Sequence, residues 1–161
     1  MQPRITEATE RDVPEILDLI RQLADYERLS DQVTATEQKL RDTLFGKQPA
    51  AEVLLASVAG ETVGFAVFFT NYSTFLAKPG IYLEDLFVKP HARGKGIGKA
   101  LLVYLAQLAV ERDCGRINWS VLDWNTPSIR FYESLGAVPL NEWTTFRLTG
   151  EPLRKLAGQP K

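Results

Sequence analysis

Arg93-Gly94-Lys95-Gly96-Ile97-Gly98-Lys99-Ala100 stands directly after an apolar run, residues 81–88, and directly before an amphipathic one, residues 101–112. Strand, glycine loop and helix in that order aim backbone N–H groups off a helix N-terminus, an arrangement that holds phosphate. Two common glycine motifs are excluded by spacing. A Walker A loop needs glycine where Arg93 stands and Ser or Thr where Ala100 stands, so the magnesium-binding hydroxyl is missing. The dinucleotide pattern G-x-G-x-x-G fails at its third glycine, which would be Lys99 or Leu101. What fits is R-G-x-G-I-G, in which small residues admit a pyrophosphate close to the backbone while Arg93, Lys95 and Lys99 add positive charge. A plain turn needs a single residue at positive φ and has no use for a glycine at every second position.

Working outward, residues 81–88 are nearly unbroken in apolar character, which predicts a central strand covered on both faces, with Glu84 and Asp85 out of place in its middle. Upstream, residues 53–58 and 63–70 are β-rich runs around Ala59-Gly60-Glu61-Thr62 and predict an antiparallel hairpin, with residues 71–80 as a loop. Residues 4–8 predict a first strand. Asp12-Val13-Pro14-Glu15 fits a capping box ahead of a helix running to Tyr26, and Thr34-Ala35-Thr36-Glu37 repeats that logic ahead of Leu40 and Leu44. Downstream, Leu101, Leu102, Leu105, Leu108 and Ala109 form one helical stripe, residues 117–122 a strand, and Asn125 caps a helix over residues 128–135 that Gly136 ends. Residues 143–148 predict a last strand, and residues 150–161 a polar, frayed tail. The order argues for an α/β (α+β) sandwich, a mixed central sheet of about 6–7 strands with helices on both faces.

At 161 residues and 45% hydrophobic content, the chain has the size of a single domain, residues 1–161, that needs no staples. The lone Cys114 has no internal disulfide partner and no metal-ligand spacing around it, so no metal is expected and a reducing compartment is. Met1-Gln2-Pro3-Arg4 shows no apolar leader and no run reaches membrane-spanning length, which predicts a cytoplasmic protein without a membrane partner. A net charge of −1 argues against a nucleic-acid partner.

A second motif, Trp124-Asn125-Thr126-Pro127-Ser128-Ile129-Arg130-Phe131-Tyr132-Glu133-Ser134-Leu135-Gly136-Ala137, decides between phosphate ligands. It resembles the second signature of the GNAT N-acetyltransferases, as the glycine loop resembles their coenzyme A loop, and the two occur in the family's order. Leu23-Ala24-Asp25-Tyr26-Glu27, Tyr82-Leu83-Glu84-Asp85 and Asp123-Trp124-Asn125-Thr126-Pro127-Ser128 are similar to the diamine (spermidine/spermine) branch and its thialysine-acetylating relatives, over nearly the whole chain. That resemblance implies acetyl-CoA as donor, a primary amine as acceptor, a homodimer, and direct transfer in a ternary complex. It assigns the coenzyme to Leu86, Phe87 and Val88, to the loop Arg93, Gly94, Lys95, Gly96, Ile97, Gly98 and Lys99, and to Asn125 and Ser128. It places Tyr26, Glu27, Glu84, Asn118 and Glu142 against the amine.

The chemistry follows from the residue types. A primary amine with a pKa of about 10.4 is protonated at neutral pH and cannot attack a thioester until it loses a proton. Glu84, in an apolar strand beside the loop, is the candidate base, directly or through water. Asp85 points to the opposite face if the strand is regular, and a bulge would loosen that assignment. Tyr132 is the candidate acid for the departing thiolate, by the family's motif, and backbone N–H groups of Leu86, Phe87 or Val88 would serve the oxyanion if the strand splays from its neighbour. His91 sits in a turn before the loop without an orienting partner, and Cys114 lacks a basic cradle, so neither is a candidate.

Acceptor choice turns on Asn71-Tyr72-Ser73-Thr74-Phe75-Leu76, where the polyamine enzymes carry an acid at the position of Ser73 and a tryptophan at that of Phe75. The departure favours a thialysine or lysine-like amine over spermidine. A non-catalytic acetyl-CoA sensor and a protein lysine or N-terminal acetyltransferase remain as alternative readings. Glu84 and Tyr132, which a sensor has no need of, argue against the first.

Overall fold

A computed structural model of the chain describes residues 2–161. Contacts divide it into two compact units, one reaching Leu122 and the other Asp123–Lys161.

The first unit is built on one five-stranded sheet in the order β1-β2-β3-β4-β5: Arg4–Glu7, Glu52–Val58, Glu61–Ser73, Lys78–Val88 and Ile117–Trp119. The first four are antiparallel neighbours and β5 lies parallel to β4. Helices α1 (Val13–Tyr26), α2 (Glu37–Leu44) and α3 (Ile97–Glu111) complete it. Strand alternation sorts the core into two layers. Val53, Leu55, Phe65 and Phe87 pack with Val13, Ile16, Leu17 and Leu19 of α1 and Leu40 of α2. Leu54, Ala56 and Ala66, one residue out of phase, are buried on the other face, and α3, which packs against the first four strands, buries Ile97, Leu101, Leu102, Leu105 and Ala109.

Several expectations are corrected. The sheet has five strands because residues 120–122 leave the ladder and residues 143–148 find no neighbour to pair with among the described residues. The span 71–80 is a long hairpin: β3 and β4 pair from Gly64↔Val88 to Ser73↔Lys78, leaving only residues 74–77 as the turn. The first capping box lies one turn early, since the Thr9 N–H donates to Asp12 Oδ2 at 2.7 Å and a 3-10 turn, Glu10–Asp12, precedes α1. That bond turns the Asp12 carboxylate back along the chain and away from the Glu15 amide. For α2 the cap is Thr36, whose hydroxyl accepts from the Lys39 N–H at 3.2 Å.

The second unit holds α4 (Thr126–Ser134) and α5 (Gly150–Ala157). The latter replaces the frayed tail, its N-terminus flanked by Thr149 and its face carrying an Arg154–Glu151 ion pair. Among the described residues, no helix is long and apolar enough to cross a membrane.

Candidate functional site

β4 changes character at Glu84. Leu83 pairs with Phe68 and Asp85 with Val67, so Glu84 is the extra residue of a β-bulge. The bulge breaks the alternation that would send Glu84 and Asp85 to opposite faces. Pairing with β5 also stops there, at Leu83↔Trp119, so from Glu84 to Val88 the strand has β3 on one side and, among the described residues, no strand on the other. Leu86, Phe87 and Val88, the candidate oxyanion donors, lie on this half-open stretch.

The two carboxylates now differ in setting. Glu84 is exposed, whereas Asp85 is partly buried, beside Val67 and two residues from the core Phe87. Burial, then the neighbouring charges of Glu84 and Glu27, push the Asp85 carboxyl up to about 6. Glu27, at the C-terminal end of α1, is itself raised by burial. Three acids from two elements therefore share one electrostatic neighbourhood, one of them half-protonated near pH 6. Such a group is costly when empty and relieved by a cation. A regular strand would set Asp85 on the opposite face from Glu84, and the bulge removes that ground; two adjacent acids in an apolar strand are the sequence signal that one of them is desolvated.

β4 runs through a 3-10 turn, Pro90–Ala92, into the glycine loop. Gly94 and Gly96 hold φ of +75° and +79°, and Gly96 is the N-cap of α3 in the left-handed conformation. A Cβ built at either meets nothing within 4 Å, so the face over the loop is open. Intrahelical bonding starts with the Ala100 N–H to Gly96 O, which leaves the N–H groups of Ile97, Gly98 and Lys99 for an anion. Lys95 and Lys99 are exposed beside them. These features fit a pyrophosphate.

Arg93, the first loop residue, leans back. Its Nε donates to the Val88 carbonyl at 2.8 Å, and its guanidinium lies 4.5 Å from the Tyr26 ring centre and 5.4 Å from that of Phe87. The two rings are themselves 6.5 Å apart and tilted by 51°. Tyr26 is thus tied to β4 next to the acids. His91 is exposed as expected, but it does have a partner: it pairs with Glu61 at 3.0 Å on the surface.

Asn118 is partly buried on β5, level with Tyr82. Ser73 is 4% exposed, and its hydroxyl accepts from the Leu76 N–H at 3.2 Å, closing its own turn. Phe75 in that turn is fully exposed. The Ser73 hydroxyl is therefore committed to its own turn.

In the second unit the buried Asn125 caps α4, its side chain accepting from the Ser128 N–H at 3.4 Å, with Pro127 in the first turn. Tyr132 is partly buried, 5.6 Å from the Phe131 ring and inclined to it by 46°. Glu142 is exposed.

Comparison with known proteins reaches the same chemistry independently. The chain is 43% identical to the thialysine N-epsilon-acetyltransferase of Bos taurus, over 96% of this chain and 97% of that protein. It is 36% identical to an L-ornithine N5-acetyltransferase of Arabidopsis thaliana, over 97% and 88% of the two chains. Among solved structures, an integron cassette protein from the mobile metagenome of V. cholerae superposes with a TM-score of 0.84 at 29% identity, covering 99% of both chains. Residues 15–137 match the sequence model of the Acetyltransferase (GNAT) family. An open glycine cradle at the head of α3, a bulged half-open strand before it and full-length acetyltransferase relatives agree: the chain is an acetyltransferase and belongs to the GNAT family.

Proposed function

We propose that this enzyme transfers the acetyl group of acetyl-CoA to the primary amine of a small cationic acceptor, a thialysine-like or lysine-like amino acid in preference to a polyamine. The observation that carries the reading is the acidic cluster of Glu27, Glu84 and Asp85, where β4 opens and leads into the glycine loop. It would draw an ammonium group by offsetting charges that burial has made costly. A compact acceptor suits a cluster confined to a few residues, and both the bovine and the Arabidopsis relatives are named for amino-acid amines.

Acetyl-CoA, when bound, supplies the thioester. Gly94, Lys95, Gly96, Ile97, Gly98 and Lys99 would hold its pyrophosphate, with Asn125 and Ser128 as further contacts. Glu84, exposed at the bulge and reachable by water, takes the proton from the amine. Asp85 and Glu27 hold the ammonium form in place beforehand, with Tyr26, Asn118 and Glu142 lining the acceptor. Backbone N–H groups of Leu86, Phe87 or Val88 face developing negative charge on the carbonyl oxygen, and Tyr132 returns a proton to the departing sulfur.

The two compact units are read as one acetyltransferase domain, because the family match runs from residue 15 to 137, across their boundary. A cytoplasmic homodimer completes the reading. The exposure of Val138, Leu140, Trp143, Phe146 and Leu148, apolar side chains that a second copy could cover, supports the dimer.

An acceptor screen reading free thiol release from acetyl-CoA tests the proposal. The expected order is thialysine and lysine-like amines first, spermidine lower, peptides silent. Coenzyme A binding without thiol release on any acceptor would overturn it in favour of a sensor, and release on peptides alone in favour of a protein acetyltransferase.

A further inference from the structure

Arg93 opens the glycine loop, and its charge alone would make it a phosphate ligand. Its side chain is committed elsewhere. Nε is bonded to the Val88 carbonyl at 2.8 Å, and the guanidinium is stacked within 4.5 Å of the Tyr26 ring centre and 5.4 Å of that of Phe87. A planar guanidinium can lie on ring faces while donating in its own plane, and a lysine ammonium cannot do both.

Both rings lead to the acids. Tyr26 is the last residue of α1 and the next residue is Glu27. Phe87 pairs with Phe65 and Asp85 with Val67, and both Phe65 and Val67 belong to the layer against α1. The arginine therefore bridges the two segments that carry Glu27 and Asp85. Tyr26 also packs against the core and tilts against the Phe87 ring, and the arginine adds a contact that fixes where this end of α1 lies on β4. A shift of about 1 Å in such an end is enough to cost a large factor in a positioned reaction.

We propose that Arg93 is a positioning residue for the acceptor: it seats Tyr26 on β4 so that Glu27 stands beside Asp85, and its part in coenzyme binding is minor. The inference rests on the reading that Tyr26 and Glu27 face the amine.

Two variants separate this role from that of a phosphate ligand. Arg93→Lys keeps the charge and loses the plane, while Arg93→Gln loses the charge and keeps a planar amide donor. Arg93 is exposed, so both variants are expected to fold, which circular dichroism checks. KM for the amine is measured at saturating acetyl-CoA, and Kd for coenzyme A by calorimetry. The expected result in both variants is a rise of about tenfold in amine KM with coenzyme Kd moved by less than about threefold. A coenzyme Kd that weakens more in Gln than in Lys, with amine KM unchanged, makes Arg93 a phosphate ligand and overturns the proposal. So does amine KM within twofold of wild type in Arg93→Lys, which would mean that charge alone suffices. Wild-type enzyme inactive on every amine would instead overturn the acceptor reading beneath it.

Discussion

The two halves of β4 obey different rules. From Ile81 to Leu83 the strand is paired on both sides, with β3 and with β5, and Ile81 and Leu83 are buried to within 2% of completely. From Glu84 to Val88 it is bulged, paired on one side only, and carries two carboxylates beside a third. The first half is paired with strands on both sides and serves as ballast. The second leaves backbone groups and charges for water or a ligand to satisfy, which is how a rigid scaffold acquires a reactive edge.

Ile81 and Glu84, three residues apart, should therefore fail in opposite ways. Glu84→Gln keeps shape and loses the base, so turnover at neutral pH should fall by about 10²- to 10⁴-fold. Activity should recover in part at high pH, where solvent supplies free amine, and the urea midpoint should stay put because Glu84 is exposed. Ile81→Ala, by contrast, should cost about 2–5 kcal/mol of stability through the cavity it leaves. Its turnover per folded molecule should remain within a few-fold of wild type. A wild-type pH-rate profile in Glu84→Gln would remove Glu84 from the chemistry and blur the distinction between the halves.

Asp85 sharpens the comparison, since it lies in the reactive half yet is held by the core. Its carboxyl is raised from 3.8 to about 6, so between those values the folded chain keeps a proton that the unfolded chain has lost. Stability from this group is complete below pH 3.8 and lost as pH rises to about 6, a difference of about 1–3 kcal/mol. Asp85→Asn should match wild type in urea at pH 4 and exceed it at pH 7. A bound ammonium would reverse the shift, so the wild-type amine KM should climb as pH falls below about 6 and the variant's should not. An equal stability difference at both pH values would show that Asp85 is not desolvated.

Much of this contrast was legible in the sequence. The glycine spacing located the loop and the head of α3, and the apolar run around Glu84 and Asp85 marked β4 as central. Hydrophobic period also placed α1 and the β2–β3 hairpin. The bulge was not legible, because one inserted residue leaves no composition signal and shows only in which residues face each other across the ladder. The side on which Asp85 lies depends on the bulge, so the sequence alone leaves that side open. The strand expected over residues 143–148 does not form: Trp143, Phe146 and Leu148 have the right propensity, but a strand requires a neighbour that propensity cannot supply. The charge of Arg93 is legible in the sequence, and its stacking against two rings is not.

The smallest effect is expected at the far end of the hairpin that begins β4, where Ser73 pairs with Lys78. The serine looks like a specificity position because its turn departs from the polyamine enzymes. Its hydroxyl, however, is buried and bonded to the Leu76 N–H within a tight turn where Ala77 holds φ of +51°. Lys78 lies six positions before Glu84, roughly 20 Å at the usual rise, so the turn belongs with the ballast half. Ser73→Ala removes one neutral hydrogen bond and should lower stability by about 1 kcal/mol. The ratio of kcat/KM for thialysine to that for spermidine should stay within about twofold, because no charge near the acids changes. Ser73→Asp would bury a carboxylate in the turn and should destabilise more, again without favouring the polyamine. A tenfold swing in acceptor preference from either variant would mean that the turn reaches the acceptor, and that the two halves of β4 act as one surface.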